Sequence, residues 1–228
     1  MNTLTRPSTA AETTAATTVA KTAAASSAHP LDLAALVGPA GWNRLSPAIR
    51  RRFAAAHADV TYRGSMTLQC SAIGRCFALL ACFVNSPLVA RAQTDVPVQV
   101  RVSGNGSGGV VWERHLRLAG QARAQVVRST KLCGPRGGLE ERTDGGLSMA
   151  LDVVEENGAL VFYSRRYFLA LGSLCLPIPE WLTPGRCRVE HRDEGPGQFR
   201  FTLDMVHPIW GCTFHQTGVF TDPEESQS

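Results

Sequence analysis

The sequence predicts an α+β domain: a strongly curved antiparallel β-sheet, forming a half-barrel or a barrel, with N-terminal helices and one covering helix. Apolar and polar residues alternate in successive segments from residue 60 onward, which is the period of half-buried strands. Short turns rich in Gly, Pro and Asn separate these segments, as in an antiparallel meander. Helical patterns occupy only residues 31–85.

The composition is typical of one soluble globular domain, with 44% hydrophobic and 18% charged residues in a chain of 228. We expect residues 1–30, rich in Ala, Thr and Ser, to form a disordered arm. Residues 31–223 are expected to form the single curved-sheet domain, and residues 224–228 a flexible acidic tail. The net charge of +4 comes from scattered arginines, which argues against a nucleic-acid partner.

The seven cysteines form no C-x-x-C pair and have mostly apolar neighbours, so we interpret them as reduced packing residues. Reduced thiols favour a cytoplasmic location. The longest apolar run, residues 76–84, is shorter than the ~20 residues that a membrane-spanning helix needs. His207, Cys212 and His215 lack zinc-site spacing, no catalytic motif occurs, and we expect no cofactor.

Three helices are expected. Residues 31–38 form a short amphipathic segment that ends at Gly38 and Pro39. Ser46 as N-cap and Pro47 at the first helical position begin the second helix, in which Arg50, Arg51 and Arg52 are interpreted as a solvated face. Residues 71–85 form an apolar helix that either packs on the sheet or covers the mouth of a cavity.

Each strand is expected where residues of one parity are apolar. The predicted inward residues are Tyr62, Met66 and Leu68; Val96, Val98, Val100 and Val102; Val110, Trp112, Leu116 and Leu118; Leu147, Met149, Leu151 and Val153; Cys187, Val189 and His191; and Phe199, Phe201, Leu203 and Met205.

Four local features add detail to this sheet. Gly64 marks a bulge or a close approach of two strands. A more polar strand over residues 121–130 lies at an edge or lines a wet interior. A turn at residues 156–158 joins two strands into a hairpin. The proline-rich corner 176–184 is expected to form a rigid rim that packs Trp181 over one end of the sheet.

Two charged residues share the parity of inward apolar residues. Arg114 alternates in phase with Trp112 and Leu116, and Glu141 is in phase with Leu139. A charge on an apolar face is costly unless it is paired or wet, so the two residues form either a buried salt bridge or a polar anchor for a ligand headgroup. We add Trp112 and, should its parity differ, Tyr163 to this ligand-binding set.

Three functions remain open. The first is non-catalytic binding of a hydrophobic or lipid-like small molecule in the concave sheet. The second is an enzyme acting on such a ligand, with Glu141 as general acid or base beside Arg114. The third is a structural or protein-interaction module, which an exposed apolar patch over residues 168–181 would favour.

The order of several short motifs resembles the bacterial DUF4166 family, a domain of unknown function, over roughly residues 36–223. The motifs are Val96-Pro97-Val98-Gln99-Val100, Trp112-Glu113-Arg114, Leu139-Glu140-Glu141, Gly158-Ala159-Leu160, the segment 176–184, Phe199-Arg200-Phe201 and Pro208-Ile209-Trp210-Gly211. The resemblance implies a single soluble domain with no assigned activity or catalytic residues. Because some members follow a dehydrogenase-like Rossmann domain, it also implies association with a dehydrogenase-like partner, although this sequence carries no such domain.

Overall fold

The computed structural model describes residues 30–54, 59–84, 88–135, 137–172 and 174–223. The helices are α1 (Leu33–Val37), α2 (Pro39–Arg44), α3 (Pro47–Phe53) and α4 (Ala72–Phe83), with a 3₁₀ turn at Glu180–Leu182. The strands are β1 (Val60–Cys70), β2 (Gln93–Gly104), β3 (Val110–Leu116), β4 (Gln125–Cys133), β5 (Leu139–Thr143), β6 (Leu147–Glu156), β7 (Ala159–Leu171), β8 (Leu174–Ile178), β9 (Arg186–Gly195), β10 (Gln198–His207) and β11 (Gly211–Thr221). The expected arm, apart from Pro30, and the expected tail lie outside these residues.

The described strands form a closed antiparallel barrel. Ten of them follow one another in the order β6-β5-β4-β3-β2-β1-β11-β10-β9-β7, and pairing of β6 with β7 closes the ring. Strand β8 stands outside the ring and pairs only with the last part of β7. The barrel alternative of the prediction is therefore confirmed, whereas the helices are short, the longest having 12 residues.

Two turn and strand predictions are confirmed by the backbone. Asn157 and Gly158 have φ angles of 50° and 79°, which are the left-handed values of a tight two-residue hairpin loop between β6 and β7. At Gly64 the close-approach alternative is correct, because a Cβ there would lie 2.0 Å from the carbonyl oxygen of Val219. The bulge of β1 lies instead between Met66 and Leu68.

The N-terminal helices close one end of the barrel. Ser46 accepts a hydrogen bond from the backbone of Ile49, so α3 begins where it was expected. Phe53 then packs into the barrel, with its ring centroid 5.7 Å from that of Trp112. Helix α2 was not predicted, because Pro39 was interpreted as ending α1, whereas it begins the next helix at a position where its missing N–H is not needed.

The interpretation of Arg50, Arg51 and Arg52 as a solvated face is wrong for Arg52. Its side chain is only 6% exposed and donates two hydrogen bonds of 2.6 Å to the carboxylate of Asp222. The guanidinium also lies 4.5 Å from the ring centroid of Phe199. Arg52 therefore fastens α3 to the end of β11.

Helix α4 covers the other end of the barrel, as one of the two alternatives anticipated. Ser71 caps it by accepting a hydrogen bond from the backbone of Gly74, and Phe77, Ala78 and Ala81 form its buried face. The proline-rich corner lies beside α4, but Trp181 is 59% exposed and does not pack over the barrel end as expected. None of the described helices has the length and apolar character that crossing a membrane requires.

Candidate functional site

A cavity of about 220 Å³ lies inside the barrel beneath α4. Its walls are mainly apolar and come from α4, from residues 178–184 and from the inward faces of β3, β6, β10 and β11. Several polar side chains also line it, namely Arg128, Thr143, Tyr167, Thr183 and Gln216, together with a group on three neighbouring strands: Arg114 on β3, Ser129 on β4 and Glu141 on β5. The inward parity predicted for Arg114 and Glu141 is thus observed, and both residues face the same space.

Arg114 makes no hydrogen bond or ion pair with any residue that the structure describes. Its guanidinium carbon lies 5.5 Å from the ring centroid of Phe201, and its side chain separates the cavity from a small apolar void. Burial lowers the pKa of Arg114, and the nearby Glu141 carboxylate opposes this effect. Because a guanidinium stays protonated in proteins, Arg114 is a half-buried cation with unused hydrogen-bond donors.

Glu141 is fully engaged by its neighbours on β4. Ser129 Oγ donates a 2.6 Å hydrogen bond to one carboxylate oxygen, and Lys131 Nζ donates a 2.9 Å hydrogen bond to the other. Burial alone would raise the pKa of Glu141, but the charges of Lys131 and Arg114 and these hydrogen bonds lower it overall. The buried salt bridge is therefore Lys131–Glu141, not the Arg114–Glu141 pair that was one of the two alternatives.

We call Arg114, Ser129, Lys131 and Glu141 the polar floor; the first two and Glu141 line the cavity, whereas Lys131 binds Glu141 and does not itself line it. The charges of this floor do not cancel. Arg114 and Lys131 are two cations, and Glu141 is a single anion beside them. Burial and the neighbouring cations lower the pKa of His191 well below its usual value, so the ring is neutral. Burial also raises the pKa of Cys187 to about 12, so its thiol is neutral too. The interior has one unbalanced positive charge, which favours an anionic group.

The other two predicted ligand residues lie apart from the main cavity. Trp112 packs in the core beneath it, with Lys131 Nζ 5.4 Å from its ring centroid, and lines only the small void. Tyr163 lies outside the barrel, where its hydroxyl contacts a carboxylate oxygen of Glu156 at 2.9 Å and accepts a hydrogen bond from Arg188. Its side chain keeps the outward parity that its position in β7 predicts, so Tyr163 is not part of the site.

Sequence reasoning missed Lys131 and Ser129. Ser129 lay within the predicted strand 121–130, to which no inward residues were assigned, and Lys131 lay one residue beyond its end. The observed β4 runs from Gln125 to Cys133 and buries both side chains. The polar alternation of this segment was a usable signal for a wet interior. His191 was placed on an inward face but not in the site, and its buried Nδ1 has no hydrogen-bond partner among the described residues.

Within the part of the chain that the structure describes, no three His, Cys, Asp or Glu side chains come together as a metal site. His207 Nδ1 accepts a hydrogen bond from the backbone of Ile209 at 3.1 Å. His215 Nδ1 lies 2.7 Å from a carboxylate oxygen of Asp204. Both rings are thus engaged by groups of the protein itself.

Comparison with known proteins gives one match. A family model described as "Domain of unknown function (DUF4166)" matches residues 45–220, a range that contains the whole barrel except the last residue of β11. No curated protein matches the chain. The matched range includes every residue that forms the floor of the cavity.

Proposed function

Since the chain belongs to the DUF4166 family, for which no activity is described, the site itself must indicate the function, and we propose non-catalytic binding of a lipid-like small molecule with an anionic head. The apolar part of the ligand occupies the cavity beneath α4. Its head, a carboxylate or a group of similar charge, binds Arg114 beside the Lys131–Glu141 pair.

The observation that carries this proposal is the guanidinium of Arg114, which has no ion-pair partner among the described residues, in a mainly apolar cavity. An isolated buried charge is unfavourable, and proteins normally pair it. A planar carboxylate matches the two-pronged geometry of a guanidinium and would supply the missing partner. The unbalanced positive charge of the floor acts in the same direction.

The cavity has a suitable size and surface for the apolar part of such a ligand. Its volume of about 220 Å³ exceeds the ~150 Å³ of engineered apolar cavities that hold benzene. Leu116, Leu203 and Met205 are among the side chains that line it. Ligand sites of this kind are typically mostly apolar, with a few placed polar groups that fix orientation.

Catalysis is the weaker alternative for the same residues. A general base needs a pKa near the working pH, whereas the charges of Lys131 and Arg114 and two hydrogen bonds lower the pKa of Glu141. Cys187 is protonated at neutral pH and is therefore a poor nucleophile. These features support a binding role for the polar floor.

Native mass spectrometry of the full chain tests the proposal. Protein freed of bound lipid is mixed with decanoate. The Arg114→Met protein is the matched variant and is treated in the same way. We expect a one-to-one adduct with the unaltered protein and at least about a tenfold weaker adduct with Arg114→Met. Absence of any adduct, or equal adducts in both proteins, contradicts the proposal.

A further inference from the structure

The mouth of the cavity is surrounded by a surface that we name the mouth collar. It consists of the outer face of α4, the arm formed by the end of β7, β8 and the 3₁₀ turn, and the turn between β10 and β11. The described parts of the stretches 76–90, 167–179 and 205–214 supply most of it, and these stretches contain no Asp, Glu, Lys or Arg, whereas the 3₁₀ turn adds Glu180, which pairs with Arg186. Three charge-free stretches from distant parts of the sequence thus belong to one end of the barrel.

Direct contacts join the parts of the collar. The ring centroid of Phe77 on α4 lies 5.8 Å from that of Trp210 in the β10–β11 turn. His207 Nε2 lies 3.4 Å from the carbonyl oxygen of Trp181 in the 3₁₀ turn. Leu80 and Leu182 each line the cavity and are also exposed at the surface. The collar is therefore continuous with the cavity wall.

The exposed apolar side chains of the protein are concentrated in the collar. Of the twelve large hydrophobic residues that are exposed in the described chain, ten lie there, and only Leu36 and Val126 lie elsewhere. On α4 they are Leu79, Leu80 and Phe83, and Phe83 is 88% exposed. The arm contributes Leu174, Leu176, Trp181 and Leu182, the end of β10 contributes Val206, and the turn contributes Ile209 and Trp210.

The thiols follow the same distribution. All four exposed cysteines, Cys76, Cys82, Cys175 and Cys212, are in the collar, where they add small apolar side chains. An apolar patch of this kind on a monomer marks a surface that contacts another apolar phase. The patch includes part of residues 168–181, where an exposed patch was expected to favour an interaction module.

The charges beside the collar favour a lipid surface as its occupant. Arg75 precedes the first charge-free stretch and Arg166 precedes the second, and both are exposed. Neither forms an ion pair with a described residue. Exposed arginines beside an apolar surface attract anionic headgroups, and tryptophans such as Trp181 and Trp210 favour the boundary between headgroups and acyl chains.

The opening of the cavity supports the same occupant. The cavity meets the surface between α4 and residues 178–184, so a lipid-like ligand must pass the collar to reach Arg114.

We propose that the mouth collar docks on a lipid bilayer containing anionic headgroups, with Phe83 and the β8 arm entering the apolar layer. Docking brings the cavity mouth against lipid, so that the ligand moves between bilayer and barrel without crossing water. This loading role rests on the proposed function, whereas docking itself is measured independently of any ligand.

Vesicle flotation of the full chain tests the docking. The vesicles consist of phosphatidylcholine alone or of phosphatidylcholine with phosphatidylglycerol. We expect the protein to float with the mixed vesicles, and Phe83→Asp and Leu174→Asp each to reduce the bound fraction about tenfold. Leu36→Asp is the matched control, because it places the same charge on an exposed leucine at the opposite end of the barrel, and it should bind as the unaltered protein does.

Arg114→Met separates this inference from the proposed function. The Arg114→Met protein should float with the mixed vesicles but lose the decanoate adduct. The Phe83→Asp protein should lose flotation but keep the adduct, because Phe83 does not line the cavity. No flotation of the unaltered protein with either vesicle, or equal flotation of Phe83→Asp, overturns docking. If the collar instead joins two copies of the chain, light scattering should show a dimer that Phe83→Asp dissociates, and the unaltered protein should not float. This result also overturns docking.

Discussion

Lys131 Nζ lies 2.9 Å from a carboxylate oxygen of Glu141 inside the barrel, and this ion pair leaves Arg114 without a partner. The two residues are directly opposite each other on β4 and β5. This pairing and a hydrogen bond from the Ser129 hydroxyl engage both oxygens of the Glu141 carboxylate. The guanidinium on β3 is then the group that remains available to a ligand.

Replacing the buried carboxylate should destabilise the fold. Glu141→Gln leaves Lys131 and Arg114 without a counter-charge, and removing one member of a buried pair typically costs about 3 kcal/mol or more. Chemical denaturation should show this loss in the free energy of unfolding. Glu156→Gln is the control, because that carboxylate pairs with Arg188 on the outer face and its loss should cost no more than about 1 kcal/mol. Equal losses in the two variants would contradict the assignment.

His191 should make stability depend on pH in mildly acidic solution. Its pKa is lowered well below 6.5 in the folded protein, so as pH falls below about 6.5 the unfolded chain takes up a proton that the folded protein does not. Stability should therefore fall with decreasing pH, by at most about 1.4 kcal/mol per pH unit from this group. The comparison is between the unaltered protein and His191→Met, unfolded by denaturant from pH 7 to pH 5. The variant should lose this part of the slope, and identical slopes would rule out a neutral buried histidine.

Gly64 should not tolerate a side chain. In Gly64→Ala the new Cβ would meet the Val219 carbonyl of the paired strand, and forcing β1 and β11 apart should cost about 3 kcal/mol or prevent folding. Gly104→Ala is the matched control, because a Cβ at the end of β2 meets nothing within 4 Å. Thermal unfolding of both variants gives the comparison. A Gly64→Ala protein as stable as Gly104→Ala would show that the two strands are not so close.

Arg52→Met tests the attachment of α3 to the barrel. The loss of two charged hydrogen bonds to Asp222 should lower the free energy of unfolding by about 2–3 kcal/mol. Arg51→Met, one position earlier and exposed, should change it by less than about 0.5 kcal/mol. If both arginines prove equivalent, the solvated-face interpretation of the helix is restored.

Local patterns in the sequence were sufficient for much of this fold. Alternation predicted which side chains of β2, β3, β6, β9 and β10 face inward, because parity is a property of each strand alone. Capping chemistry predicted the start of α3 in the same way. Arg114 and Glu141 were identified because each is a charged residue at a position where the alternation of its own strand predicts an inward apolar one. No knowledge of another strand is needed for this.

The remaining features depend on pairings between distant segments. Lys131 lies opposite Glu141 because of the register in which β4 and β5 pair. The sequence of either strand alone does not predict this register. Closure of the barrel likewise depends on β6 pairing with β7 while β9 pairs with the other side of β7. The exposure of Trp181 depends on the β8 arm lying outside the ring, which local proline geometry does not predict.

The central claim is that Arg114 recognises the anionic head of a lipid-like ligand, and calorimetric titration with decanoate and decanol tests it most directly. The two ligands share an apolar chain and differ in the charge of the head. The unaltered protein should bind decanoate about 10–100-fold more tightly than decanol, the range expected for charged hydrogen bonds, and Arg114→Met should bind the two equally. Equal affinities in the unaltered protein, or an undiminished preference for decanoate in a folded Arg114→Met variant, would contradict the account.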